Sequence, residues 1–265
     1  MTTAFTTLSL ETIERHIAVV TLDRADARNA LNTTMMEELR AVFSAWYVEP
    51  GETRCVVITG AGDKAFCAGA DLKERNGMSD ETWRRQHAIV EQMIRAMSDC
   101  PVPIIAAVNG AAFAGGCEIA LAADFIYASA NARFAQTEVA LGIIPGAMGT
   151  QNLPRAIGLR RAKEAILSGT PFTAEQAHTW GLVNTLFETV DELRAGALDA
   201  AHRIAANAPV AVRQAKAAIS KSADLDRANG YAYEIEAYNR TVGTEDRREG
   251  IAAFNEKRRP QYKGR

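Results

Sequence analysis

The chain has 265 residues, of which 48% are hydrophobic and 23% charged, a composition typical of a globular protein that buries a large core. Its formal net charge of −2 predicts no broad attraction to nucleic acid or to an anionic membrane. The four cysteines and four histidines show no CxxC or CxxH spacing, which argues against a zinc site and predicts reduced, mostly buried thiols.

The sequence patterns predict neither a targeting segment nor a membrane span. Its first twenty residues have neither a basic start with an apolar core nor an Arg-rich amphipathic pattern. No apolar run approaches the roughly 18 residues that a membrane helix needs. We therefore expect a cytoplasmic protein with no membrane partner, although a processed organellar protein would have the same features.

The first quarter of the chain predicts strands around one helix. Apolar and polar residues alternate between 8 and 22, which favours two strands with a break near residues 14–16. Thr34 begins a capping-box pattern, and apolar residues at helical spacing follow it. The apolar run at 55–60, bounded by glycine, predicts a strand covered on both faces.

The same alternation continues to about residue 156. A second amphipathic helix is predicted after Ser79, and a second buried strand at residues 104–108. A short helix within 111–123 and strands at 125–128 and 133–135 come next. Recurring strand and helix units favour an α/β fold.

Beyond residue 156 the patterns predict helices almost alone. Capping boxes begin at Thr173 and Thr189. Helices are predicted at 159–168, 190–207, 209–223, 226–241 and 244–258. We therefore divide the chain into an α/β core, residues 1–195, and a helical region, residues 196–265, that packs on the core and on neighbouring subunits.

Three segments place small residues or carboxylates at predicted element boundaries. They are residues 65–71, residues 114–118, and residues 134–138 with the glycine-rich 144–150. The first two follow strands, and their N–H groups can point into one cavity, as an oxyanion hole requires. Glu118 stands in an apolar run, where a buried charge needs a partner or a task. Glu118 and Glu138 can flank one reacting centre as acid and base.

These segments resemble the signature of the crotonase (enoyl-CoA hydratase/isomerase) superfamily, and the resemblance covers nearly the whole chain. The matching motifs are Arg28–Leu31, Phe66–Lys73, Gly115–Glu118, Gln136–Glu138, Ile144–Gly146, Gly149–Gln151 and the ending from Phe254. Several motifs in the right order are far more specific than one glycine-rich match. The resemblance implies an α/β superhelix of ββα units whose C-terminal helices build a homotrimer or a dimer of trimers.

The resemblance also implies an activity, the reversible hydration of a trans-2-enoyl-CoA to a 3-hydroxyacyl-CoA. The backbone N–H groups of Ala70 and Gly115 would bind the thioester oxygen. Glu118 would hold and activate water for attack at C3, and Glu138 would pass the proton to C2. The implied substrate-binding residues are Arg28, Ala68, Ala70, Asp71, Leu72, Lys73, Gly115 and Gly146. No metal or other cofactor is implied, because coenzyme A is part of the substrate.

Two positions depart from the family pattern. Asp26 stands where many relatives carry a lysine for a CoA phosphate, and Arg28 could provide that charge instead. Met148 replaces a glycine that is common in the related loop, and it would reshape the acyl pocket if its side chain faces it.

Alternatives to a general hydratase remain. The surroundings of the motifs look most similar to the methylglutaconyl-CoA hydratase branch. A Δ3,Δ2-enoyl-CoA isomerase would use one glutamate, so the presence of two disfavours it. RNA binding, reported for a relative with a Lys-rich helix, is disfavoured because residues 37–46 carry two acids and one arginine.

Overall fold

The computed structural model describes residues 5–265, and within this range the chain forms ten strands and eleven α-helices. The strands are β1 (Leu8–Ile13), β2 (Ile17–Leu22), β3 (Cys55–Gly60), β4 (Ala65–Cys67), β5 (Ile104–Val108), β6 (Ala111–Phe113), β7 (Phe125–Ser129), β8 (Arg133–Ala135), β9 (Phe172–Thr173) and β10 (Thr185–Phe187). None of the helices in the described range is long and apolar enough to cross a membrane.

The helices dominate the second half of the chain. They are α1 (Thr33–Val48), α2 (Leu72–Arg75), α3 (Asp80–Ser98), α4 (Gly115–Ala122), α5 (Gly149–Ile157), α6 (Leu159–Ser168), α7 (Ala174–Thr179), α8 (Val190–Ala205), α9 (Pro209–Lys221), α10 (Arg227–Val242) and α11 (Glu245–Asn255). Single turns of 3-10 helix lie at Ala25–Ala27 and Glu138–Leu141.

The strands form two sheets. The larger sheet has the order β1-β2-β3-β5-β7-β10 and is parallel except for the β1–β2 hairpin. The smaller has the order β4-β6-β8-β9, with only β8 and β9 antiparallel. From β3 to β8 consecutive strands alternate between the two sheets, and a helical segment follows each pair of strands. The chain therefore winds as ββα turns, which confirms the predicted superhelix.

The large sheet is buried on both faces. Every residue of β3 and β5 is buried, as the continuous apolar runs predicted. Val56 and Ile58 pack with α1 and α3, whereas Val57 on the opposite face packs with α8. The alanines of α8, including Ala197 and Ala201, let that helix lie close to the sheet.

Most predicted elements are confirmed, with local corrections. The side chain of Asn32 accepts a hydrogen bond from Met35 N at 3.0 Å, so the predicted capping box at Thr34 is wrong. Asn32 lies two residues earlier and already provides the N-cap. Strands β4 and β6 were missed, because three residues are too few to show a periodicity.

The C-terminal region continues from the core without a break in structure. The predicted division between residues 195 and 196 falls inside α8, and the division itself stays a prediction. Lys216 of α9 pairs with Asp124, which follows α4, at 2.7 Å. Large apolar side chains remain exposed on α9–α11, namely Ile219, Tyr231, Ile235, Tyr238, Val242, Ile251 and Phe254.

Candidate active site

A cavity of about 660 Å³ brings together most of the predicted site. The predicted residues that line it are Ala68, Ala70, Leu72, Gly115, Glu118, Glu138 and Gly146. They come from the segment after β4, from α4, and from the segment after β8. The chemistry-bearing segments recognised in the sequence therefore meet at one place.

Two backbone N–H groups are open at this cavity. Leu31 N donates to Gly69 O and Asp71 N donates to Leu31 O, both at 2.8 Å, so the bridge to Leu31 does not use Ala70 N–H. Gly115 is the first residue of α4, where a helix has no acceptor for the N–H. Neither N–H donates to an acceptor within residues 5–265. A methyl group on Gly115 would lie 4.0 Å from Gly69 Cα, so the two segments are adjacent.

Ala114 carries backbone strain directly before Gly115. Its φ of 49° and ψ of −121° are a conformation that favours glycine. Ala114 N donates to Ala135 O at 2.8 Å, which ties the turn to β8. Such strain persists only where surrounding structure enforces it, and it is concentrated at functional sites.

Glu118 lies one helical turn after Gly115 and is buried, with 3% of its surface exposed. Its Oε1 accepts hydrogen bonds from Ala147 N at 2.7 Å and from Gly149 N at 2.9 Å. Burial raises the pKa of Glu118, and these two amides oppose the rise. One oxygen is thus fixed by the 145–149 loop, while Oε2 has no donor in the described chain.

Glu138 begins the 3-10 turn after β8 and is 6% exposed. Neither carboxylate oxygen accepts a hydrogen bond from any described residue. Burial raises the pKa of Glu138 to about 7, and the charge of Glu118 adds to the rise. At neutral pH this carboxyl group is therefore divided between its acid and base forms.

Gln136 and Gly149 lie beside the Glu118 carboxylate, and sequence reasoning assigned neither a role. The buried Gln136 amide has no partner for its nitrogen or oxygen among residues 5–265. A methyl group on Gly149 would lie 2.8 Å from both Gln136 Oε1 and Glu118 Oε1. Glycine is required there because a side chain would displace the Glu118 carboxylate.

A further wall of the cavity comes from α2 and α3. It consists of Arg75, Trp83, Arg84, His87 and Val90. Sequence reasoning missed this wall, because the apolar spacing after Ser79 predicts only an amphipathic helix with one buried face. The signal was present in the spacing, since positions 83, 87 and 90 share one helical face.

Comparison with known proteins agrees with this arrangement. Residues 12–265 match the family model for enoyl-CoA hydratase/isomerase. A short-chain-enoyl-CoA hydratase of Clostridium acetobutylicum is 41% identical over 246 residues, which cover 93% of this chain and 94% of the relative. The mitochondrial methylglutaconyl-CoA hydratase of Mus musculus is 39% identical over 258 residues, covering 96% of this chain and 82% of the relative.

A solved structure shows the same fold. The crystal structure of an enoyl-CoA hydratase from Bacillus anthracis matches with a TM-score of 0.95 and 43% identity, covering 98% of this chain and 100% of that one. The chain belongs to the enoyl-CoA hydratase/isomerase family. The resemblance inferred from the motifs is confirmed, and the protein is an enzyme of this family.

Three residues predicted to bind substrate do not line the cavity in this family member. Arg28 is exposed, and its carbonyl accepts from Ala68 N at 3.1 Å. The Asp71 carboxylate caps α2 and pairs with Arg24 at 3.0 Å. Lys73 is exposed on α2. Their roles toward coenzyme A stay predictions.

Met148 is not among the residues that line the cavity. Its side chain is partly buried against the hydrophobic core. Its backbone is left-handed, with φ of 69°, and it precedes α5. The sequence left open whether the Met148 side chain faces the acyl pocket, and in the structure it packs against the core instead of lining the cavity.

The cysteines are free and buried, as expected. Burial raises the pKa of Cys67 and of Cys117 to about 12, which suits core packing better than nucleophilic chemistry. No group of three potential metal-ligating His, Cys, Asp or Glu residues occurs in the described range.

Proposed function

We propose that this enzyme catalyses the reversible syn hydration of a trans-2-enoyl-CoA to a 3-hydroxyacyl-CoA. One observation carries the proposal. Two buried glutamates, Glu118 and Glu138, line the same cavity as the open N–H groups of Ala70 and Gly115. This combination supplies an acid, a base and an oxyanion site around one reacting centre.

The oxyanion site stabilises the charge that develops on the thioester. As water adds to C3, electron density moves through C2 to the thioester oxygen, and an enolate forms. Donation from Ala70 N–H and Gly115 N–H stabilises that oxygen, with roughly 3 kcal/mol from each donor. Because the strained Ala114 turn and the Leu31 bridge hold these amides, they need no reorganisation during the reaction.

The two glutamates divide the proton transfers. Glu118, anchored through Oε1, orients a water molecule and takes its proton as the oxygen attacks C3. Glu138 gives its proton to C2 of the enolate. A pKa of about 7 supports this role, because the group exchanges a proton readily in either direction near neutral pH.

The competing reaction within the family is isomerisation of a 3-enoyl-CoA to a 2-enoyl-CoA. It moves one proton and needs one carboxylate. Two buried carboxylates at one cavity favour hydration, since the second has a use only when water is a reactant.

The test is the hydration of crotonyl-CoA, followed by the loss of enoyl absorbance and by mass spectrometry of the product. Wild type should add one water. Glu138→Gln should lower kcat by about 10² to 10⁴-fold and leave acyl-CoA binding intact. Near-normal turnover by the variant, or a wild-type product without added water, would contradict the proposal.

A further inference from the structure

The basic wall of the cavity, formed by Arg75, Arg84 and His87 of α2 and α3, has one member that contacts the loop holding Glu118. His87 is partly buried, and its imidazole lies against Gly146. A methyl group on Gly146 would lie 2.4 Å from Cε1 of the ring, far inside the separation of about 3.5 to 4.0 Å at which carbon atoms pack. The ring therefore fills the space directly beside the Gly146 backbone.

The contact between His87 and Gly146 is one of packing. Among residues 5–265, the histidine rings that take part in hydrogen bonds are those of His16, His178 and His202. The His87 ring therefore has no hydrogen-bond partner in the described chain. Gly146 does not have a positive φ, so the imidazole, and not the backbone conformation, opposes a side chain at this position.

The loop that His87 contacts holds the Glu118 carboxylate but has few bonds of its own. Ala147 N and Gly149 N donate to Glu118 Oε1 at 2.7 and 2.9 Å. Residues 144–146, directly before these donors, make no backbone hydrogen bond with any residue from 5 to 265. Packing has to fix such a segment, and the His87 ring supplies that packing at the residue next to Ala147.

Glu138 depends less on this loop. It begins a 3-10 turn that closes on itself, with Gly142 N donating to Val139 O at 3.1 Å. No described residue donates to the Glu138 carboxylate. A displacement of residues 144–149 would therefore act on Glu118, whose carboxylate accepts from the loop, before it acted on Glu138.

We propose that His87 is a positioning residue for Glu118. Its imidazole packs against Gly146 and thereby fixes the Ala147 N–H that orients the Glu118 carboxylate toward water. The ring acts through its shape, and it transfers no proton. This proposal rests on the proposed hydration, in which Glu118 activates the water that attacks C3.

Two reactions of the same site separate positioning of Glu118 from general distortion. Hydration of crotonyl-CoA needs both glutamates. Exchange of the C2 protons of butyryl-CoA in D2O needs only the oxyanion site and Glu138, which takes a proton from C2 and returns a deuteron to the enolate. His87→Ala should lower kcat for hydration about ten-fold with KM unchanged, and should leave the exchange rate as in wild type. An equal loss of both rates would overturn the proposal.

His87→Leu separates the shape of the side chain from its chemistry. Leucine has nearly the volume of histidine, but it neither forms hydrogen bonds nor transfers protons through its side chain. It should recover most of the hydration rate that His87→Ala loses. If the leucine and alanine variants are equally slow, the imidazole acts chemically and the proposal is wrong.

A methyl group added to the loop tests the contact itself. Gly146→Ala should slow hydration, because the new methyl group meets the His87 ring. In the His87→Ala background the same substitution should cost nothing or restore part of the rate, since the methyl group enters the space that the ring has left. Losses that multiply in the double variant would contradict the proposed contact.

Arg85→Ala is the control on the same helix. Arg85 lies two positions before His87, is exposed, pairs with Glu81 and does not line the cavity, so its kcat and KM should equal those of wild type. Circular dichroism and thermal melting confirm that each variant is folded. If wild type hydrates crotonyl-CoA and His87→Ala does so equally fast, only this inference fails. If wild type adds no water, the proposed function itself fails.

Discussion

At the residue scale, the site keeps groups in states that cost free energy elsewhere in a protein. Glu138 is buried without a hydrogen-bond partner in the described chain, and Ala114 adopts a glycine-like conformation. Glu118 was identifiable from the sequence, because a lone carboxylate in an apolar run demands an explanation. Without the motif around it, Glu138 would have been assigned to the surface.

The pH dependence of turnover should follow the loss of the last proton from the pair formed by Glu118 and Glu138. Catalysis needs one proton shared between Glu118 and Glu138, and Glu138 has a pKa of about 7. Above pH 7, kcat/KM should therefore fall about ten-fold per pH unit. Hydration and dehydration should give the same alkaline limb, since the overall reaction takes up no proton. Initial rates in both directions measure this, and a rate still rising at pH 8 would contradict it.

The same carboxyl group should make folding stability depend on pH. The folded-state pKa of Glu138, about 7, lies above the ordinary glutamate value of 4.5. The contribution of the protonated Glu138 to the free energy of unfolding is therefore fully present below pH 4.5 and is lost as pH rises through 7. The unfolding free energy of Glu138→Gln minus that of wild type should therefore increase by about 2 kcal/mol between pH 5 and pH 8. Urea unfolding at both pH values checks this, and an equal difference at both would refute the burial argument.

At the scale of elements, long periodic segments could be predicted and short ones could not. The buried runs of β3 and β5 and the helices after residue 156 are confirmed. Strands β4 and β6 have three residues each, and their positions follow from pairing with distant strands. Both lie directly before the segments that carry Ala70 and Gly115. The elements that are hardest to predict therefore position the site.

The short helix α2 should depend on Asp71. Its Oδ1 accepts from Lys73 N at 3.0 Å, and its Oδ2 pairs with Arg24 at 3.0 Å. Asp71→Ala removes both contacts and should lower the unfolding free energy by about 1 to 2 kcal/mol. Asp71→Asn keeps an N-cap and should cost less. Denaturant unfolding and kcat/KM for crotonyl-CoA, measured on both variants, distinguish a structural role of Asp71 from direct contact with the substrate. If both variants lose the same activity and neither is destabilised, Asp71 contacts the substrate directly.

At the scale of the whole molecule, two sheets and the surrounding helices bring the loops after β4, β6 and β8 to one cavity. The motifs predicted that meeting point, because each follows a strand. The basic wall was not predicted, since its members come from α2 and α3 and contact the site only after the chain has wound back on itself.

The predicted homotrimer or dimer of trimers should be seen by light scattering. The apolar side chains left exposed on α10 and α11, with Tyr238 at 66% and Phe254 at 83%, favour association. Phe254→Glu places a charge on that surface and should reduce the assembled fraction, whereas wild type should have three or six times the mass of one chain. A monomeric wild type would contradict the prediction.

The central claim is that Glu118 and Glu138 act as one unit on water and substrate. The most direct measurement is the initial rate of crotonyl-CoA hydration by wild type, Glu118→Gln, Glu138→Gln and the double variant. Each single substitution should lower kcat by about 10² to 10⁴-fold, and the double variant should be about as slow as the slower single variant. Near-wild-type turnover by either single variant, or losses that multiply in the double variant, would contradict the account.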